Sequence, residues 1–257
     1  MSPLFFLTRL EPTDDALAAR ASALGFVVLR VPLYTTEPGV DSPGIARRLA
    51  VVGDGVAVAW TSRRAAESLA RAMTGPGREL ERVPLYALGE ESAAPMVRAG
   101  YTPLTPGEGL GAAGLAQFIL NRAQQDGIRC VLFLRGDRSL PDLPNGLKAG
   151  GIDVFSLEVY RTRFLEADVE GLVTWLRKGD PVAAAFFSPS SVAALERLLD
   201  PETRALAHER IAAIARGQTT ARALEDRGYR SLFRPSGTVG FEAAAQEALL
   251  ATSGGRP

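Results

Sequence analysis

The chain has 257 residues, of which 46% are hydrophobic and 23% are charged, a composition typical of a soluble globular protein and not of a disordered or fibrous one. Its length favours two domains over a single core. The 29 basic residues balance the 29 acidic ones and are scattered, so the chain lacks the positive surface of a protein that binds nucleic acid or a membrane.

The chain opens with the pattern of a parallel sheet. Residues 4–7 predict a buried strand, residues 14–24 a helix that ends at Gly25, and residues 26–31 a second strand. Residues 33–39 lose this periodicity and combine β-forming residues with Pro and Gly, which is more typical of a connector than of a core element. We therefore expect a domain boundary there.

Between residues 45 and 155 helical and strand patterns alternate. The predicted strands are residues 56–60, 82–86, 101–104, 131–134 and 153–156. This set is sufficient for one complete α/β domain.

The remainder of the chain contains too few strands for an independent sheet. Residues 157–164 are extended and alternating, and further strands are predicted at residues 183–187, 211–215 and 231–233. The N-terminal strand–helix–strand unit would complete this second sheet. We therefore predict a discontinuous domain (residues 1–33 plus 164–257), an inserted domain (residues 40–157), and linkers at 34–39 and 158–163.

The chain also contains an internal repeat. Residues 60–69 and 187–195 each begin as an apolar run, break into small hydroxyl residues and resume at helical spacing. Further along, residues 89–93 followed by Gly100 and Tyr101 match residues 217–221 followed by Gly228 and Tyr229. Two similar α/β halves are therefore expected, each with two hydroxyl-rich turns from strand to helix.

Such turns favour anions, because unpaired backbone N–H groups and the positive end of the helix dipole point out of the sheet. The hydroxyl side chains would cap helices or donate to a ligand; they are Ser62, Ser92, Ser188, Ser190, Thr219 and Thr220. For any one of them alone, a purely structural cap is the favoured interpretation. Four turns in two matching halves favour a ligand cleft between the domains.

Residues for conventional catalysis are absent from the sequence. The only histidine, His208, falls in an amphipathic helix, where we expect an exposed side chain without a catalytic role. A single cysteine, Cys130, excludes disulfides and thiolate metal sites. No dinucleotide fingerprint, phosphate loop or nucleophile elbow is present, so we expect neither a metal nor a cofactor. With no basic leader and no apolar run of membrane-spanning length, a cytoplasmic protein is expected.

Three further positions carry candidate chemistry. Tyr160 lies in the second linker and could project into a cleft, although an ordinary strand aromatic is the alternative. Arg9 follows the first strand and could bind a carboxylate bidentately, although an internal ion pair is simpler. Residues 135–138 could bind an anion or form a salt-bridged loop.

In several of these motifs the chain resembles the uroporphyrinogen-III synthase family. The motifs are Thr8-Arg9 after the first strand, Thr61-Ser62 before a helix, residues 159–162, residues 187–192, and residues 217–221 through Tyr229. The family pattern differs at Arg216, where an apolar residue usually precedes the glycine, and at Glu90 and Glu91, which place acids in a turn. The resemblance implies two similar parallel-sheet α/β domains joined by a two-stranded β-ladder linker, with one domain inserted into the other.

The resemblance also implies a reaction. Family members convert the linear tetrapyrrole hydroxymethylbilane to uroporphyrinogen III, with loss of water and inversion of the terminal pyrrole ring, without cofactor or metal. Tyr160 would then assist departure of the hydroxyl group. The substrate carboxylates would be bound by Arg9, Thr61, Ser62, Arg63, Ser92, Ser188, Pro189, Ser190, Ser191, Gln218, Thr219 and Thr220. We expect a monomer, with transient contact to the preceding pathway enzyme.

Two other functions fit the same residues. A non-catalytic, two-lobed cytosolic protein that binds or senses anions would need the same turns. A glycosyl- or phosphoryl-transferring enzyme is less favoured, because the sequence offers neither paired acids nor a phosphate loop.

Overall fold

The computed structural model describes residues 2–9, 15–50, 53–73, 83–107, 110–236 and 240–254. These residues divide into two compact units. The discontinuous unit comprises residues 1–35 together with 163–257, and the continuous unit comprises residues 36–162. Mixed α/β architecture with parallel sheets is confirmed in both.

Within the described residues the sheet of the discontinuous unit has five strands. They are β1 (Leu4–Leu7), β2 (Val27–Arg30), β8 (Val182–Phe186), β9 (Ile211–Ala215) and β10 (Ser231–Phe233). Their order in the sheet is β10-β9-β8-β1-β2, and all four strand pairs are parallel. The helices are α1 (Asp15–Ala23), α7 (Glu170–Lys178), α8 (Pro189–Leu198), α9 (Pro201–Arg210), α10 (Gln218–Glu225) and α11 (Phe241–Thr252).

Helices cover both faces of this sheet, which explains why its strands are almost continuously apolar. One face packs with α7, α8, α9 and α10, and its core includes Phe6 and Phe186. The other face packs with α1 and α11, and its core includes Phe5 and Leu7. Strands β1, β8 and β9 are buried along their whole length, so their carboxyl ends are firmly held.

The described part of the continuous unit also contains a five-stranded sheet. Its strands are β3 (Tyr34–Pro38), β4 (Val56–Trp60), β5 (Leu85–Ala87), β6 (Cys130–Gly136) and β7 (Asp153–Phe164), in the order β3-β7-β6-β4-β5. The helices are α2 (Ile45–Ala50), which follows a 3-10 turn at Ser42–Gly44, and α3 (Arg63–Ala72), α4 (Glu90–Arg98), α5 (Gly111–Ala123) and α6 (Asp142–Ala149).

Strands β3 and β7 are the segments in which the chain leaves the discontinuous unit and returns to it. Backbone bonds join Gly39 to Val159 and Leu165 to Leu33. Residue numbers therefore fall on one segment as they rise on the other, which describes an antiparallel pair. The connector predicted at residues 33–39 contains a sheet strand, because its N–H and C=O groups find partners on β7.

Several predicted strands differ from the structure. Residues 101–104 form no strand; a single bridge joins Tyr86 to Leu104, and Pro103 has no N–H to extend the pairing. Residues 153–156 and 157–164 form one uninterrupted strand, β7. The strand predicted at 82–86 is found at Leu85–Ala87, and residue 82 lies outside the described residues.

The internal repeat is present in the backbone. Helices α3 and α8 both begin after a serine cap, and helices α4 and α10 both begin after an extended glycine. Helices α4 and α10 are followed by the glycines Gly100 and Gly228, with φ of 89° and 84°. None of the described helices is both long and apolar enough to cross a membrane.

Candidate functional site

The carboxyl edge of the discontinuous unit is formed by the turns that follow β1, β8 and β9. These strands are adjacent and parallel, so their ends meet at one edge of the sheet. The edge brings together the predicted residues of this unit: Arg9, Ser188, Pro189, Ser190, Ser191, Gln218, Thr219 and Thr220. They come from three segments that are far apart in the sequence.

The turn after β8 is stabilised by its own hydroxyl groups. Ser188 caps α8, and its Oγ accepts a hydrogen bond from the Ser191 N–H at 3.2 Å. The buried Ser191 Oγ accepts from the Ser188 N–H and donates to the Ser188 carbonyl at 2.7 Å. These bonds form a reciprocal cap. Pro189 is exposed at the first helical position, and Ser190 is half-buried beside it.

Tyr34 is a site residue that the sequence did not indicate. The Ser188 Oγ donates to the Tyr34 hydroxyl at 2.9 Å, across 154 positions of sequence. Tyr34 begins β3, so its side chain brings a second hydroxyl group to the same turn. Its position at the start of a linker was the available signal.

The turn after β9 is open. Gly217 precedes α10 in an extended conformation, and a Cβ atom there would meet nothing within 4 Å. Gln218 and Thr219 are exposed in the first turn, whereas Thr220 is buried. The first N–H groups of a helix have no partner within it. This turn therefore offers backbone donors that a ligand can approach closely.

The continuous unit brings its predicted residues to the ends of β4 and β5. Ser62 caps α3 by accepting from the Ala65 N–H at 3.2 Å, next to a half-buried Thr61. The exposed Arg63 is paired with Glu67 at 2.9 Å. Both Ser62 and Arg63 thus have contacts within α3.

Ser92 lies in the first turn of α4 and bonds to the residue that precedes this helix. Its Oγ accepts from the Gly89 N–H at 3.1 Å and donates to the Gly89 carbonyl at 2.8 Å. The Ser92 carbonyl accepts from the indole N–H of the fully buried Trp60 at 2.7 Å. Glu90 and Glu91 are exposed in the same turn. This arrangement favours a structural role for the Ser92 side chain.

Tyr160 is half-buried on β7, with its ring directly over Gly136. A Cβ atom at Gly136 would lie 2.4 Å from the Tyr160 Cζ atom and 2.7 Å from its hydroxyl oxygen, so any side chain at this position would displace the ring. The strand register shifts between Arg135 and Gly136 at this point. The Asp137 N–H donates to the Tyr160 carbonyl at 3.2 Å. The loop that follows is salt-bridged, with Arg138 Nε 3.7 Å from Asp137 Oδ2.

The expectation of an exposed His208 is wrong. Its Nε2 atom lies 2.9 Å from Glu196 Oε1, and its ring lies against Tyr229 with the centroids 4.8 Å apart. The Tyr229 hydroxyl donates to the same carboxylate oxygen at 3.1 Å, and Arg204 lies 3.5 Å from the other. Burial and the neighbouring Glu196 raise the pKa of Tyr229 well above its ordinary value. The helical pattern could not show this, because Glu196 lies on another helix.

Among the residues that the structure describes, no three His, Cys, Asp or Glu side chains are grouped to hold a metal ion.

Comparison with models of protein families identifies the family of the chain. A family model described as uroporphyrinogen-III synthase HemD matches residues 15–240. The chain belongs to the uroporphyrinogen-III synthase family. No curated protein matches the chain by sequence.

Solved uroporphyrinogen-III synthase structures share the fold. A wild-type enzyme from Thermus thermophilus is 26% identical with a TM-score of 0.52, and the match covers 98% of each chain. A mutant of the enzyme from that organism is 24% identical with a TM-score of 0.65, covering 96% of this chain and 99% of that one. The Helicobacter pylori enzyme is 19% identical with a TM-score of 0.58, covering 97% of this chain and 99% of that one.

Proposed function

We propose that this protein cyclises hydroxymethylbilane to uroporphyrinogen III, with loss of water and inversion of the terminal pyrrole ring. The observation that carries the proposal is the family match over residues 15–240. The reaction would be that of a lyase that uses no metal and no cofactor. A cytoplasmic location, a monomeric state and a transient contact with the preceding pathway enzyme stay predictions.

The substrate explains why open turns are useful. Hydroxymethylbilane carries eight carboxylates, so its binding requires several separate hydrogen-bond donors and not one strong base. The proposed contacts are Arg9, Ser188, Pro189, Ser190, Ser191, Gln218, Thr219 and Thr220 in the discontinuous unit, and Thr61, Ser62, Arg63 and Ser92 in the continuous one. Because Ser62, Ser92, Ser188 and Ser191 use their hydroxyls as caps, contacts at these turns would involve backbone N–H groups and the more exposed side chains.

Tyr160 would assist the first chemical step. The C–O bond of the hydroxymethyl group breaks with its electron pair remaining on oxygen, and a proton from the Tyr160 phenol completes the departing water. The pyrrole nitrogen lone pair gives a protonated azafulvene, whose N–H proton passes to the Tyr160 phenolate to leave the neutral azafulvene and restore the phenol. The support for this role is the position of Tyr160, half-buried above Gly136.

The remaining steps require control of conformation more than proton transfer. The azafulvene closes to a spiro intermediate, which reopens and recloses with the terminal ring inverted. Binding that holds the chain in the geometry of this closure would favour it over direct closure.

The test of the reaction is the isomer that forms. Purified protein is incubated with freshly generated hydroxymethylbilane, and the products are oxidised and separated into type I and type III uroporphyrins. We expect an excess of type III that grows with time and with protein. Only the spontaneous type I isomer, from folded protein, would contradict the proposed function.

The test of Tyr160 is the Tyr160→Phe variant in the same assay. Loss of the proton donor should lower kcat about tenfold or more, with KM changed less. An unchanged kcat would remove Tyr160 from the mechanism.

A further inference from the structure

Three neighbouring strands of the discontinuous unit end in a row of large side chains. The positions Leu7, Ala185 and Ile214 are paired in register and lie on one face of these strands. Two residues further along each segment come Arg9, Phe187 and Arg216. Because strand side chains alternate between faces, this row continues the face that packs against α1 and α11. The row therefore lies at the carboxyl edge, on the α11 side.

Four side chains of this region form a chain of contacts in space, in the order Arg9, Phe187, Phe241 and Arg216. The Arg9 guanidinium lies 3.7 Å from the centroid of the Phe187 ring. The Phe187 and Phe241 centroids are 5.6 Å apart, and the Arg216 guanidinium lies 5.0 Å from the Phe241 centroid. All four residues are half-buried. Two guanidinium groups are thus stacked on two adjoining rings, and we call this set the arginine–phenylalanine shelf.

Stacking of this kind prepares a guanidinium to bind a carboxylate. A guanidinium that stacks on an aromatic ring uses its face for that contact, whereas its N–H donors lie in its plane. A planar group whose orientation is already set loses less conformational entropy when it forms a bidentate pair with a carboxylate. Lysine cannot provide this geometry.

We propose that Arg216, together with Arg9, binds the neighbouring acetate and propionate groups of one pyrrole ring of the substrate. This inference rests on the proposed function. It adds Arg216, which departs from the family pattern before Gly217, to the proposed substrate contacts. Phe187 and Phe241 act as positioning residues, because they hold the guanidinium planes.

The test compares Arg216→Gln with Arg230→Gln. Arg230 is a suitable control because it is exposed in the same unit and lies 3.3 Å from Glu209. We expect Arg216→Gln to raise KM for hydroxymethylbilane about tenfold, with kcat within about twofold, because a charge-assisted contact to substrate is lost. Arg230→Gln should leave both constants unchanged.

Two further variants separate binding from a structural role. Arg216→Lys keeps the charge and should raise KM by a smaller factor than Arg216→Gln. Phe241→Leu keeps both guanidinium groups but removes one ring, and should raise KM about threefold through lost positioning. A structural role alone would make Phe241→Leu the most damaging change and would lower the unfolding midpoint in parallel with activity.

A binding measurement keeps the inference independent of turnover. The dissociation constant of uroporphyrin III, which retains the eight carboxylates, is measured by porphyrin fluorescence for the same variants. About tenfold weaker binding of uroporphyrin III by Arg216→Gln than by Arg230→Gln supports the inference. This holds even if the wild type yields only the type I isomer in the activity assay, because that result would overturn the proposed function alone. Equal dissociation constants for Arg216→Gln, Arg230→Gln and the wild type would overturn the inference.

Discussion

The two units present the same pair of turns with different electrostatics. After the extended glycine of the continuous unit, the first helical turn carries Glu90 and Glu91, both exposed. After its counterpart in the discontinuous unit, the matching positions are the neutral Gln218 and Thr219. Backbone donors of the same kind thus stand beside carboxylates in one unit and beside uncharged groups in the other.

The arginines at the two edges also differ in the side chains they contact. At the edge of the continuous unit, Arg63 pairs with Glu67 on its own helix. At the edge of the discontinuous unit, Arg9 and Arg216 are stacked on Phe187 and Phe241. The difference teaches that a repeated backbone does not imply repeated binding. We infer that the discontinuous unit contributes the larger share of carboxylate recognition.

The largest expected effect is a loss of stability in the discontinuous unit. Glu196 is shared by His208, Tyr229 and Arg204, so Glu196→Ala leaves buried donors without their acceptor and should lower the unfolding free energy of the discontinuous unit by about 3 kcal/mol. Glu209→Ala removes an exposed ion pair with Arg230 and should cost less than about 1 kcal/mol.

The chain offers a separate reporter for each unit, because one of its two tryptophans lies in each: Trp60 in the continuous unit and Trp175 in the discontinuous one. Urea unfolding is followed by Trp175 fluorescence in a Trp60→Phe background, and by Trp60 fluorescence in a Trp175→Phe background. Equal shifts for Glu196→Ala and Glu209→Ala would show that the polar cluster contributes nothing.

Alkaline pH should weaken both units through one buried tyrosine each. Burial, together with an acceptor carboxylate, raises the pKa of Tyr86 to about 12 and that of Tyr229 well above its ordinary value. The folded state retains these protons, while the unfolded state loses them above about pH 10. The contribution of the two tyrosines to the unfolding free energy is therefore complete below about pH 10 and is lost as the pH rises further.

Each of these tyrosines should lower the unfolding free energy by about 1.4 kcal/mol per pH unit above about pH 10. Tyr86→Phe should flatten the slope reported by Trp60, and Tyr229→Phe the slope reported by Trp175. Slopes that are identical in the wild type and in both variants would contradict this assignment.

A smaller change tests the support of Tyr160. Gly136→Ala places a methyl group where the Tyr160 ring lies, so the ring must move, and kcat should fall about tenfold, as for Tyr160→Phe. Gly53→Ala is the matched control, because its added Cβ meets nothing within 4 Å. If Gly136→Ala kept the wild-type kcat, the position of the ring would not matter for the reaction.

Much of the fold could be predicted from sequence, because burial on both faces makes parallel strands continuously apolar. The strands at Val56–Trp60, Ile211–Ala215 and Ser231–Phe233 have the predicted bounds. The repeat correctly anticipated the turns before α3 and α8. The pairing of strands was harder to predict, because it depends on which backbone N–H groups find a partner. Residues 101–104 have a strand-like sequence, but only Leu104 forms a bridge, with Tyr86.

Long-range contacts of side chains were outside the reach of sequence patterns. The bond between Tyr34 and Ser188 joins residues 154 positions apart. The location of His208 beside Glu196 depends on the packing of two helices. Arg216 was noticed only as a departure from a pattern, because its stacking on Phe241 requires the fold to bring β9 and α11 together.

The most direct test of the difference between the units exchanges charge between the matching turns. Gln218→Glu gives the turn of the discontinuous unit the acid that the continuous unit carries at Glu90, and Glu90→Gln makes the reverse change. With the type III isomer as readout, we predict that Gln218→Glu raises KM about fivefold through repulsion of substrate carboxylates, whereas Glu90→Gln changes KM less than about twofold. An unchanged KM for Gln218→Glu, or equal changes for the two variants, would contradict the claim that the discontinuous unit carries the larger share of carboxylate recognition.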